Sequence, residues 1–299
     1  DEFWLRSLDT LIFNKFPNET ELTKEIVTEW TTKEDNVQPG TIRRRNIVIR
    51  EFAKYLLSIN KNAYLLPASY LPKVKKYQSY IYTETEISAI LKVLDECNYI
   101  TRHSNLYKVY PVFFRILYCC GLRLSEVINL KVKDVDLENG ILYIYESKNN
   151  NTRYVPITEE LSKKCKEYYN QVNNQYTTNE NYFFFAKDSN IKITKSQARY
   201  HFMSILKSAN IPYLGKGKGP RVHDLRHTFA VHSFKQFVLA GDDLNVCMPI
   251  LQTYMGHSAF DATEYYLKLT ADMYPDIRKK LENAFGDIIP KIEGDCIEE

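Results

Sequence analysis

Four short segments carry side chains able to act on a phosphodiester. Gly121-Leu122-Arg123-Leu124-Ser125-Glu126 sets an arginine between a helix end and a helix start, with Glu126 close enough to hold it by a salt bridge. His223-Asp224-Leu225-Arg226-His227 opens an apolar helix, and the i, i+3 spacing of His223 and Arg226 turns both to one side. Lys148 lies in an expected turn between two strands, and Gly256-His257 precedes a helix that carries Tyr265 and Tyr266. Cutting DNA through a covalent intermediate asks for such a set. Two fixed guanidinium groups clamp the non-bridging oxygens, a hydroxyl attacks in line, and a proton donor reaches the leaving 5′ oxygen.

Taken singly, each segment has a plainer reading. Arg123 beside Glu126 also describes a surface arginine with a nearby acid. His223 and His227, at i, i+4, have the spacing of a metal pair, but no carboxylate or cysteine cluster supplies the remaining ligands. A lysine in a hairpin turn is usually solvated. With 23 tyrosines in the chain, any single one is by default a core or surface residue.

The elements that must position these residues can be read from apolar periodicity. Residues 1–70 read as helical, with Leu22, Ile26 and Val27 on one face and Trp30 just beyond. Thr41 is a plausible N-cap for a helix to about Ile59, on which Ile42, Ile49, Phe52, Ala53 and Leu56 form an apolar stripe. Arg43, Arg44, Arg45 and Arg50 project elsewhere and leave that helix a basic face. The stretch around Pro72, Lys73, Lys75 and Lys76 lacks helical periodicity and reads as a linker. Helices follow at 83–94, 107–120 and 125–130, then a three-strand antiparallel meander over 132–137, 141–145 and 152–157. Further helices are expected at about 158–173, 195–209, 222–238, 244–255 and 261–269. The fold class is therefore mainly α with a small antiparallel β-sheet. A small helical domain (1–72) joins through a linker (73–82) to a larger catalytic domain (83–274), and 275–299 is expected to be a C-terminal helix or tail.

Composition sets the remaining bounds. Apolar residues make up 44% of the 299, enough for real cores, and no apolar run approaches the roughly 20 residues of a membrane span. No basic segment followed by an apolar one opens the chain, so no signal peptide is expected. The six cysteines include no C-x-x-C pair, which argues against a zinc module and for a reducing, cytoplasmic compartment. Net charge is only +3, but it is unevenly spread. Residues 41–80 hold nine Lys/Arg against one acid, and 189–223 hold seven against none. Two basic stretches suit a polyanion gripped from two sides, although solvated basic faces have the same composition.

In their order and with these neighbours, the four segments resemble the tyrosine recombinase (phage integrase) family. Arg123 matches the family's first catalytic arginine. Lys148, ahead of Arg153-Tyr154-Val155-Pro156-Ile157, is similar to its hairpin lysine. His223-x-x-Arg226 within His-Asp-Leu-Arg-His-Thr-Phe-Ala is its most specific signature. Gly256-His257 resembles its Leu-Gly-His segment, with Met255 in place of leucine. The nucleophile follows that histidine by nine positions, which lands on Tyr266, with Tyr265 as the rival one residue away. The resemblance covers about 80–270. Two departures stand out: Ser147, Asn149 and Asn150 replace the usual hairpin glycines, and 34 positions separate His223 from His257. The longer gap points to a mobile-element integrase rather than a chromosome resolvase.

The resemblance implies a role for each residue. Arg123 and Arg226 clamp the phosphate. His223 assists proton transfer from the nucleophile, and His257 adds a hydrogen bond. Lys148 is the general acid, Tyr266 forms a 3′-phosphotyrosyl link, and Glu126 supports Arg123. No cofactor and no metal are implied. The partner is double-stranded DNA, held by a homo-tetramer on two sites (a monomer or dimer without DNA), with accessory DNA-bending or excision factors and no membrane. The C-terminal helix or tail is then expected to dock on the next subunit, with packing in cis as the plainer reading. Localisation is cytoplasmic, with the nucleoid. Arg43, Arg44, Arg45, Arg50, Lys73, Lys75 and Lys76 are the expected DNA contacts on one side of the duplex. Lys195, Arg199, Lys216, Lys218 and Arg221 are those on the other. Two other functions fit part of the same pattern: a type IB topoisomerase-like DNA relaxer and a catalytically silent DNA-binding protein of the same fold.

Overall fold

The computed structural model describes residues 2–32, 37–74, 79–96, 106–145, 152–173, 178–186, 191–215, 219–256, 265–266, 269–270 and 274. The chain divides into two compact units, Asp1–Tyr77 and Gln78–Glu299.

The first unit holds α1 (Glu2–Lys15), α2 (Lys24–Thr31) and α3 (Pro39–Ser58). Thr23 caps α2 by accepting from the Ile26 amide, which leaves Ile26, Val27 and Trp30 on the buried face. With Leu8, Leu22, Ile49, Ala53 and Leu66 these residues make one apolar cluster. The start of α3 differs from the expectation at Thr41. Gln38 is the N-cap and Pro39 the first helical residue, a position where a missing N–H costs nothing and the fixed φ already suits a helix. The basic face of α3 also needs correction. Arg45 turns inward and is 8% exposed. Its guanidinium lies over the Trp30 ring at 5.3 Å and donates to the Thr32 carbonyl at 3.0 Å. The long aliphatic stem lets an arginine cover apolar surface while its head finds polar partners.

The second unit surrounds α5 (Leu106–Cys119), whose Val109, Tyr110, Phe113, Phe114, Ile116 and Leu117 are all buried. Against it lie α4 (Glu84–Glu96), α6 (Leu124–Asn129), α7 (Glu159–Tyr168) and α9 (Asp224–Ala240), while α8 (Lys195–Ser208) packs on α4 and α6. Thr83 and Glu86 close a capping box at the start of α4. The sheet is the expected meander, β1 (Val135–Asp136), β2 (Ile141–Tyr145) and β3 (Thr152–Pro156), antiparallel in the order β1-β2-β3. Its first strand is shorter than expected. Val132–Asp134 forms a 3₁₀ turn instead, closed by the Asp134 carboxylate accepting from the Lys131 amide at 2.9 Å. Pairing of Leu142 with Val155 and of Ile144 with Arg153 sets the register. The period of two then puts Arg153 and Val155 on the inner face and Tyr154 outside. Helix α10 (Leu244–Met255) ends at Gly256 in the left-handed conformation. Of the expected helix at 261–269, Tyr265, Tyr266 and Leu269 are described as helical, as is Thr270 beyond it.

The burial of Arg45 predicts a stability effect that exposed Arg44 lacks. Replacing Arg45 by alanine removes a stacked cation and a hydrogen bond and should cost about 1–3 kcal/mol in urea denaturation. Arg44→Ala should stay within about 0.5 kcal/mol of wild type.

Candidate active site

Three helix boundaries build the site. α5 runs into Gly121 and α10 into Gly256, and both glycines have positive φ, +58° and +69°. A helix end leaves carbonyls without intrahelical partners, and here side chains of other elements reach them. Arg226, in the first turn of α9, donates Nη1 to the Gly121 carbonyl at 2.7 Å and Nη2 to the Met255 carbonyl at 2.8 Å. Arg123, the N-cap of α6, donates Nη2 to the Gly256 carbonyl at 2.7 Å. Arg153, from the inner face of β3, donates Nε to the Tyr254 carbonyl at 2.9 Å. Three consecutive carbonyls at the end of α10 therefore each accept from a different guanidinium. Little room is left there: a Cβ on Gly256 would lie 2.8 Å from Arg153 Nη1, and one on Gly121 2.3 Å from the Phe229 ring.

Glu126 supplies the counter-charge. Oε1 accepts from Arg123 Nη1 at 2.8 Å and from Arg153 Nη1 at 3.1 Å, and Oε2 accepts from Arg153 Nη2 and from the Arg123 amide, both at 2.8 Å. Burial would raise its carboxyl, but the Arg153 contacts, the Arg123 amide and the Arg226 charge together hold it below the usual carboxylate value. Arg226 is 3% exposed. Burial, then the neighbouring Arg123 charge, brings it down to about 10, while Tyr266 and Glu126 pull the other way. It stays cationic at neutral pH. Partial desolvation of its ring, followed by the Arg226 charge, lowers His223, which favours a neutral imidazole.

The two candidate tyrosines go to different places. Tyr266 is 4% exposed, and its hydroxyl lies 3.0 Å from His227 Nδ1. Burial raises its pKa, and the adjacent Arg226 opposes that rise. The Tyr265 hydroxyl instead donates to Ser79 Oγ at 3.2 Å and accepts from the Ser79 amide at 3.4 Å. The structure thus brings Arg123, Glu126, His223, Arg226 and Tyr266 together. Lys148 and His257 lie outside the described residues. Two members of the site were missed in the sequence. Arg153 was passed over, although its alternation with Val155 places it on the core face. His227 was weighed only as half of a metal pair, and among the described residues no group of three or more side chains could hold a metal ion.

The expected DNA contacts are placed as follows. Arg44, Lys73, Lys195 and Arg199 are exposed, and Arg50 is half-buried. Arg43 donates to the Pro72 carbonyl at 3.0 Å, and Arg221 pairs with the buried Asp224 at 3.1 Å. Arg45 is packed inside the first unit. Lys75, Lys76, Lys216 and Lys218 lie outside the described residues.

Residues 81–273 match the profile of the Phage integrase family, well over half of the chain. The chain belongs to this family. As a phage integrase family member it is similar to a putative integrase/recombinase, y4rB, of Sinorhizobium fredii, with 25% identity over 94% of this chain and 90% of the relative. It is also similar to tyrosine recombinase XerA of Pyrococcus furiosus, with 27% identity over 82% of this chain and 78% of the relative. Its fold is like that of the Tn1549 transposon integrase solved with transposon right end DNA, with a TM-score of 0.65, 19% identity and coverage of 95% and 92%. The XerA recombinase crystal structure matches with a TM-score of 0.53, 17% identity and coverage of 95% and 98%. The family is that of the tyrosine recombinases, as the sequence motifs suggest. No helix among the described residues is long and apolar enough to cross a membrane.

The buried Glu126 has a signed pH consequence. Its carboxyl is depressed in the folded state, so its contribution is complete above the unfolded value and lost as pH falls through the folded one. Glu126→Ala leaves two arginines short of a partner and should cost about 3–5 kcal/mol at neutral pH. In urea denaturation, the gap between wild type and Glu126→Gln should stay level above about pH 5 and close only at more acid pH.

Proposed function

We propose that this family member cuts and rejoins DNA at specific sites through a 3′-phosphotyrosyl intermediate, and so integrates and excises a mobile element. One observation carries the reading. The buried phenol of Tyr266 lies beside Arg226, whose guanidinium is fixed by two main-chain carbonyls, and within the field of Arg123, which reaches the end of α10. A phosphate held between the two guanidiniums would meet the phenol. The Tyr266 oxygen attacks phosphorus, the bond from phosphorus to the 5′ oxygen breaks, and Lys148 protonates that oxygen. His223 hydrogen-bonds a phosphoryl oxygen and assists removal of the phenol's proton as its oxygen attacks, and His257 adds a further hydrogen bond to the phosphate. The phosphotyrosyl bond keeps the free energy of the phosphodiester, so a 5′-hydroxyl can reseal the strand by reversing these steps.

The exposed Arg44 and Lys73 of the first unit and Lys195 and Arg199 of the second would meet backbone phosphates, as would Arg43, Arg50 and Arg221. Such contacts bring affinity and salt dependence rather than sequence choice. The 34 positions between His223 and His257, with the fold likeness to a transposon integrase, support a mobile element as the substrate. The working assembly is a tetramer on two DNA sites.

Covalent capture tests the chemistry. The full chain would be incubated, without metal, with a pool of nicked duplexes randomised around the nick, and adducts would be recovered on denaturing gels and sequenced. Wild type should yield an adduct, Tyr265→Phe should keep it, and Tyr266→Phe should abolish it. Arg226→Ala should bind the recovered duplex yet form the adduct about 10²–10³-fold more slowly, as when one oxyanion donor is lost. A bound pool with no adduct from wild type would mean a DNA-binding protein without the chemistry.

A further inference from the structure

We propose that His227 takes the proton from Tyr266 as the phenol attacks. This rests on the reading of Tyr266 as the nucleophile and adds a catalytic group to it, beside the histidine that the family resemblance points to. The geometry favours His227 for the task. Its Nδ1 lies 3.0 Å from the phenol oxygen, within reach of direct transfer, and the two ring centroids are 5.5 Å apart. His227 follows Arg226 on α9, so one turn of helix presents a cation to the phosphate and an acceptor to the nucleophile. His223 packs edge-on against the His227 ring, with centroids 4.8 Å apart and planes at 86°. It stands at the N-cap, one turn before His227.

The phenol needs such an acceptor. Tyr266 is 4% exposed, so bulk water has little access to its hydroxyl. Burial holds its proton on, while the charges of Arg226 and Arg123 favour the phenolate and Tyr265 opposes it. Among the described residues, the charged and titratable groups around the pair include His223 and Arg226 from α9, Arg123 from the start of α6, and Tyr265 beside Tyr266.

In the step itself, a neutral His227 carrying its own proton on Nε2 offers Nδ1 as acceptor. The O–H bond of Tyr266 breaks and its proton passes to Nδ1. The phenol oxygen bonds to phosphorus, the phosphorus–O5′ bond breaks with its electron pair on oxygen, and the general acid protonates that oxygen. On rejoining, the proton returns from Nδ1 to the departing phenolate.

The test follows single-turnover adduct formation by the full chain on the captured nicked duplex, across a range of pH, with DNA binding measured by gel shift. His227→Asn keeps a polar atom near the Nδ1 position but cannot take a proton. It should bind DNA as wild type does and form adduct about 10²–10⁴-fold more slowly at neutral pH. That deficit should shrink as pH rises and hydroxide takes over the proton. His227→Ala, which removes the ring, should show the same recovery and guards against a packing effect peculiar to asparagine. A wild-type rate in both variants, or a deficit of equal size at every pH, would overturn the proposal; the second result would leave His227 holding the phenol without taking its proton. Loss of the adduct in Tyr265→Phe and not in Tyr266→Phe would instead remove the nucleophile assignment, and the role of His227 with it.

Discussion

The carbonyl end of α10 is the constraint on which the site depends. Tyr254, Met255 and Gly256 present three successive carbonyls, and Arg153, Arg226 and Arg123 each take one. These arginines come from a strand, the first turn of one helix and the N-cap of another, elements spread over more than a hundred residues of chain. A guanidinium is suited to this because its planar fork carries five donors and stays charged. Each arginine also holds a second acceptor: Gly121 for Arg226, and Glu126 for Arg123 and Arg153. Shifting α10 would therefore disturb all three at once.

Concentrating cations in a buried place is costly unless each one is satisfied. One buried carboxylate, Glu126, and the dipoles of two helix ends serve that purpose here. The C-termini of α5 and α10 carry partial negative charge, so the carbonyls act as electrostatic partners as well as acceptors. Arg123 and Arg226 still repel one another: after burial itself, the Arg123 charge is the next cause that lowers Arg226. An anion between them would relieve that repulsion. The same field reaches Tyr266, where burial and the arginine charges push the phenol in opposite directions.

Arginine serves a different purpose in the first unit. Arg45 covers the Trp30 ring and closes onto the Thr32 carbonyl, so it belongs to the packing of α2 against α3. Arg44, its neighbour in sequence, stays exposed. Adjacent residues on a helix point about 100° apart, and α3 buries Ile42, Arg45, Asn46 and Ile49 along one stripe. A run of three arginines therefore cannot all lie on one face. The positions flanking the apolar stripe are those where the helix turns a residue inward.

The sequence by itself determined the elements and the type of chemistry. Periods of 3.6 and 2 made the helices and the meander legible. Glycine at 121 marked a helix end. Local geometry sets His223 and Arg226 on one face, and the resemblance of the ordered motifs to the tyrosine recombinases pointed to phosphodiester chemistry. Where local signals competed, boundaries moved, as at Pro39 and at the 3₁₀ turn of Val132–Asp134. Only the tertiary structure decided which groups meet. Glu126 was legible as a partner of Arg123, three residues away, but its bond to Arg153 spans 27 residues and depends on strand register. Spacing from His257 favoured Tyr266 over Tyr265 by a single position, and packing sends Tyr265 to Ser79 and Tyr266 to His227. No local pattern encodes contacts between distant segments, since they follow from how the helices and the sheet close around a common core.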